Sequence, residues 1–173
     1  MAGLQDDFLR AFRDAFAHEF RYDPEWVSGQ TVGNKGLLLG DLSLRRNGVI
    51  RRNEGLELGD LRANLGGKTL IIEFDSGGAS AMNLIKFWPY LRGEMDVQPI
   101  SSVTLCYFSD WYSYGSYRDM WKYLLHRMQD DPKLLVEFIA KQFDSNRDNS
   151  TGRIAEISRA LVWIAGEFPS LHG

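Results

Sequence analysis

The run Thr69–Asp75, TLIIEFD, limits the fold more tightly than any other stretch of the chain. Gly66-Gly67 turns into it, and Ser76-Gly77-Gly78 follows it. Its β-branched and aromatic residues suit a strand, and its almost unbroken apolar character suits one buried at the centre of a sheet. The elements around it must therefore supply cover for that sheet.

The periodicity on either side provides them. Leu4, Phe8, Ala11, Phe12, Ala15, Phe16 and Phe20 recur at helical spacing, which predicts an amphipathic helix over 4–20, ended by Asp23-Pro24. Gln5, Asp6, Arg10, Arg13 and Asp14 fall mainly on its opposite side. Residues 27–36, rich in glycine, read as loop. From 37 the period drops to two, and Asn47-Gly48 forms a hairpin turn between LLLGDLSLRR and GVIRRN. GLELGDLRANL forms a further strand, paired through Gly66-Gly67 with TLIIEFD. A helix is expected over 79–88, with Ala81, Met82, Ile85 and Trp88 on its apolar side. SSVTLCYFSDW is then a strand parallel to TLIIEFD across that crossover.

Three helices are expected to close the chain, over 115–129, 132–143 and 151–167. Their stripes are Tyr117, Met120, Trp121, Leu124 and Met128; then Leu134, Leu135, Phe138 and Ile139; then Ile154, Ile157, Leu161, Ile164 and Phe168. The order predicts an α/β sandwich around one mixed sheet.

The 173 residues suit a single domain, 1–173, with a real core. One cysteine, Cys106, excludes an internal disulfide and argues against a thiolate zinc site; it fits a reducing, cytoplasmic setting. Charges run through the first twenty residues, unlike a secretory leader, and no window is apolar enough to span a membrane. The net charge of -3 argues against a broad nucleic-acid footprint while leaving room for a local basic patch.

Three carboxylates stand out against this scaffold. Glu73 and Asp75, two apart, share one face of their strand, while Leu70, Ile72 and Phe74 take the other. Asp60 lies on the partner strand, where a local bend would aim it at the same point. They are either solvated charges at strand ends or a convergent oxygen set of the kind that Mg²⁺ or Mn²⁺ prefers. Glu73 follows Leu70-Ile71-Ile72 directly, where an unpaired charge is costly, which favours convergence. Glu19, from the first helix, would be a further ligand or a supporting acceptor.

The order α-β-β-β-α-β, with Asp60 on one strand of a hairpin and Glu73 thirteen residues on, resembles the PD-(D/E)xK nuclease superfamily. The resemblance covers about 4–128, leaving a helical C-terminal extension over about 132–168. It implies a restriction-endonuclease-like fold and Mg²⁺- or Mn²⁺-dependent hydrolysis of DNA, with Asp60, Glu73 and Asp75 on the metal and Glu19 at the position of the family's helix glutamate. A homodimer or another protein partner is compatible with it. Gly59 stands where the motif has proline, and Asp75 where it has lysine. The resemblance implies that the lysine's role, orienting or activating the attacking water, passes to Lys86 on the following helix; Lys68 lies at the other end of the strand. Loss of the motif lysine leaves a second expectation open, a nuclease fold kept without catalysis as a protein- or nucleic-acid-binding module.

Four arginines, Arg45, Arg46, Arg51 and Arg52, flank the Asn47-Gly48 turn and would either grip phosphates or keep a β-ribbon edge from pairing. GGKT at 66–69 is no phosphate loop, because Arg62 stands where the earlier glycine belongs and a strand follows. No G-x-S-x-G nucleophile elbow surrounds Ser76. The aromatic run Tyr107–Tyr117 is expected mostly to cap the core, with Tyr107 and Trp111 innermost.

Overall fold

The computed structural model describes residues 2–16, 27–28, 58–65, 67–75, 80–94, 99, 101–110, 115–146 and 148–169. The expected hairpin around Asn47-Gly48 and its flanking strands lie outside these residues. Helix α1 (Ala2–Ala15) precedes strand β1 (Val27–Ser28), β2 (Leu61–Leu65) and β3 (Lys68–Asp75). Helices α2 (Ser80–Ile85) and α3 (Phe87–Leu91) lead to β4 (Val103–Ser109), followed by α4 (Gly115–Gln129), β5 (Phe138–Asp144) and α5 (Ser150–Glu167).

The strands form one mixed sheet in the order β1-β2-β3-β4-β5. β1, β2 and β3 are antiparallel neighbours, with Leu61 opposite Ile72. β3, β4 and β5 run parallel, and Glu73, Tyr107 and Gln142 stand abreast across them. TLIIEFD is thus an interior strand, buried from Thr69 to Asp75.

The pleat sends alternate residues into two separate cores. Leu61, Leu70, Ile72, Phe74, Cys106, Phe108 and Phe143 meet α1 and α5 on one face. Phe8 of α1 sets its ring edge-on to Phe74 and Phe108, at 5.6 and 5.5 Å between centroids. Ile71, Val103, Leu105, Tyr107 and Phe138 meet α2, α3 and α4 on the other, through Leu84, Phe87, Tyr90, Leu91, Trp121 and Met128. The result is an α/β sandwich with helices on both faces.

Several expectations need correction. Phe138–Asp144 is a strand, not part of a helix over 132–143. Leu134, Leu135, Phe138 and Ile139 do carry helical spacing, but β4 offers a parallel edge, and pairing with it overrides that local pattern. The C-terminal part is therefore not purely helical. The helix expected over 79–88 is two short ones meeting at Lys86. Pro89 explains the joint: it has no N–H to give the Ile85 carbonyl four residues back. Ile85, expected on the apolar side, is exposed, as are Tyr117, Met120, Leu135 and Ile154. On α1, Ala15 is exposed, whereas Gln5, assigned to the wet side, is buried. Among the described residues, no helix is long and apolar enough to cross a membrane.

Candidate active site

Asp60 is placed by backbone geometry. Gly59 holds φ +94°, and a Cβ there would lie 2.2 Å from the Ile71 side chain. Only glycine tolerates both the angle and the contact, so a proline, fixed near φ −65°, has no place at this position. Beyond Gly59, the Asp60 N–H donates to the Ile72 carbonyl at 2.8 Å. Its carboxylate Oδ2 accepts from the Phe74 N–H, also at 2.8 Å. Asp60 thereby continues the β2–β3 ladder with its side chain, which brackets the backbone of Glu73. The local bend expected from the sequence is this glycine turn.

Glu73 and Asp75 follow at alternate positions of β3, both buried, on the face covered by α2, α3 and α4. Lys86, at the joint between α2 and α3, donates from Nζ to Glu73 Oε1 at 2.7 Å. Both side chains are nearly enclosed, 13% and 9% exposed, so the pair is shielded from water far more than a surface ion pair. The other oxygen, Oε2, is buried and has no hydrogen-bond partner among the described residues. Burial raises the Glu73 carboxyl from its ordinary 4.5 to about 7; Lys86 opposes that rise, and the charges of Asp60 and Asp75 add to it. Those mutual effects place the three carboxylates in one electrostatic neighbourhood.

Asp75 is held by a residue that sequence reasoning assigned to the core. The Tyr107 hydroxyl donates to Asp75 Oδ2 at 3.0 Å. Burial first, then the charges of Asp75 and Glu73, hold the phenol well above the ordinary tyrosine range, so it remains a proton donor throughout the physiological range. Alternation within VTLCYFS was the available clue to Tyr107: it shares parity with Leu105 and stands abreast of Glu73.

The remaining sequence candidates separate cleanly. Lys68 reaches the Glu167 carbonyl at 3.4 Å, at the other end of its strand. Glu19, Arg45, Arg46, Arg51 and Arg52 lie outside the described residues. At the end of β5, both side-chain amide atoms of Gln142 and Oδ2 of Asp144 are buried and have no hydrogen-bond partner among the described residues. Sequence reasoning missed these two because it read their segment as helix. Together with Glu73, Asp75, Tyr107 and Ser109 they make a polar margin at the carboxyl ends of three parallel strands, where open α/β sheets commonly bind ligands.

The donor chemistry suits a hard divalent cation: carboxylate oxygens throughout, with a buried unsatisfied oxygen on Glu73. Among the described residues, no three acidic, histidine or cysteine side chains already stand in a metal-holding group. Lys86 instead supplies the positive charge against Glu73. Comparison with protein-family models, with curated proteins and with solved structures gives no match, so the functional reading rests on the site itself.

Proposed function

We propose that this chain is a divalent-metal-dependent nuclease of the PD-(D/E)xK, restriction-endonuclease-like kind, hydrolysing DNA phosphodiester bonds. The observation that carries the reading is the 2.7 Å contact of Lys86 with Glu73. On this reading Lys86, at the joint between α2 and α3, would stand in for the lysine that the motif position lacks. The α-β-β-β-α-β order and the turn that brings Asp60 beside Glu73 support the same reading.

In this scheme Asp60, Glu73 and Asp75 would hold Mg²⁺ or Mn²⁺. When bound, such an ion offsets phosphoryl charge and lowers the pKa of a coordinated water. The chain's own residues do the rest. Asp60 keeps Oδ2 fixed through the Phe74 N–H, Tyr107 holds Asp75, and Lys86 sets its amine beside Glu73 to orient the attacking water. Arg45, Arg46, Arg51 and Arg52 would grip the backbone of the nucleic acid.

The test is a cleavage assay on supercoiled and linear duplex DNA, single-stranded DNA and RNA, each with Mg²⁺ or Mn²⁺. Metal-dependent cleavage of DNA should fall by about a hundredfold or more in Glu73→Ala and in Lys86→Met. Cleavage that survives both substitutions contradicts the assignment. Absence of cleavage on every substrate favours a second reading, the same fold serving as a binding module. That reading has its own observation: Lys86 already neutralises Glu73, as a structural ion pair would.

A further inference from the structure

A cavity lies where α3 and α4 end, on the segments that lead into β4 and β5, and shares no residue with the carboxylate site. Its volume is about 310 Å³, at the small end of the range of about 300–1,000 Å³ for ligand pockets, which suits a small molecule. Trp88, Arg92, Arg127, Asp130, Asp131 and Lys133 line it. Asp131 organises this wall. Its Oδ2 accepts from Trp88 Nε1 at 2.7 Å and its Oδ1 from the Lys133 N–H at 2.9 Å, so the indole is tethered. Arg92 is engaged too, with Nε 3.1 Å from Glu94 Oε1 and 3.6 Å from Asp131 Oδ2. Arg127 and Lys133 differ: both are exposed, and neither side-chain charge has an ion pair among the described residues. Asp130, exposed and likewise without an ion pair among those residues, opposes them, so two free cations face one free acid.

We propose that this cavity binds a nucleoside monophosphate, with Arg127 and Lys133 on the phosphate and Trp88 beside the base. Arginine and lysine supply the charge and the N–H donors that a phosphate takes, and a tethered indole gives a base a flat apolar partner. A free nucleotide and the 5′-phosphorylated end of a strand carry the same chemistry. The competing role of the cations is local: Arg127, in the last turn of α4, would offset the carbonyls left open there. That role changes stability and gives no saturable ligand binding. The assignment is independent of the nuclease reading.

Titration calorimetry of the full chain with adenosine monophosphate, adenosine and inorganic phosphate separates the two. Wild type, the Arg127→Ala/Lys133→Ala double variant and Asp130→Asn are compared at low salt, with folding checked by circular dichroism. The substituted residues are all exposed, so the fold should be kept. The wild type should bind the nucleotide at one site, more tightly than phosphate, and should not bind adenosine measurably. The double variant should bind the nucleotide at least about tenfold more weakly. Asp130→Asn, which removes the opposing charge, should bind it more tightly. A 5′-phosphorylated oligodeoxynucleotide, run beside its unphosphorylated twin, distinguishes the sources: tighter binding of the phosphorylated strand than of the nucleotide assigns the cavity to strand ends, and the reverse order to free nucleotides. Three results overturn the inference: no saturable binding of the nucleotide or the phosphorylated strand by folded wild type, equal affinity in wild type and the double variant, or phosphate binding as tightly as the nucleotide. Each leaves the nuclease reading of the carboxylates standing.

Discussion

Glu73 carries its charge in a place where charge is expensive. It is 7% exposed and flanked by two other acids, and a single ammonium relieves it. Because its carboxyl is raised from 4.5 to about 7, the folded protein keeps a proton that the unfolded chain has already lost between those values. The stability this provides is complete below about pH 4.5 and is lost as the pH rises through about 7, by up to about 3 kcal/mol. Urea denaturation of wild type at pH 5 and pH 7.5 should show that loss. Asp144 is raised as well, by burial, and contributes in the same direction, so the comparison is with Glu73→Gln. That variant should lose most of the pH dependence; an unchanged slope would mean that the Glu73 carboxyl is not raised. Lys86→Met should move the Glu73 titration further upward, readable in the carboxyl ¹³C shift against pH. Gly59 belongs to this scale too. Gly59→Ala must relieve both a positive φ and a 2.2 Å contact, and should cost about 2 kcal/mol or more in the same denaturation experiment.

At the scale of elements, strength of pattern decides what the sequence discloses. TLIIEFD and VTLCYFS are buried along their length, and their composition alone separates them from the helices around them. Helices α4 and α5 repeat a stripe over four or more turns, so their spans are nearly as expected. β5 is different. It lies at the end of the strand order, its inner positions do not alternate simply with outer ones, and the preceding leucines imitate a helix. Only its long-range pairing with β4 identifies it, and that information is not local. The same division holds in the site. Asp60, Glu73 and Asp75 stand out in the sequence because they flank one hairpin, and Lys86 because it falls on the polar side of the next helix. The contact of Tyr107 with Asp75 does not, because it arises from β3 and β4 meeting in space. The parallel assignment of β5 has a direct check. Hydrogen exchange should show protected amides within Phe138–Asp144 where they pair with β4, and Phe143→Ala should destabilise by about 3–5 kcal/mol. Exchange at the rate of an unpaired loop would contradict the strand.

For the molecule as a whole, the two cores have different neighbours and different consequences. Phe143, Ile157, Ala160, Ile164 and Phe168 from the C-terminal part fill the same core as α1 and the apolar face of β3. A chain ending at residue 131 would expose that face and the free edge of β4, and should give no cooperative thermal transition, as calorimetry would show. The opposite core is apolar over most of its area, and buried polar side chains gather at the carboxyl ends of β3, β4 and β5. There Lys86, at the joint of α2 and α3, meets Glu73, Tyr107 meets Asp75, and Asp60, after Gly59, accepts from the Phe74 N–H. The proposed role of these carboxylates is to hold a divalent cation for phosphodiester hydrolysis. Calorimetric titration of Mg²⁺ and Mn²⁺ into the wild type and Glu73→Ala, each with and without a DNA duplex, tests it most directly. The account predicts one saturable site in the wild type that is lost in Glu73→Ala while the fold is kept. Equal behaviour of the two proteins in both settings, binding or not, would contradict it.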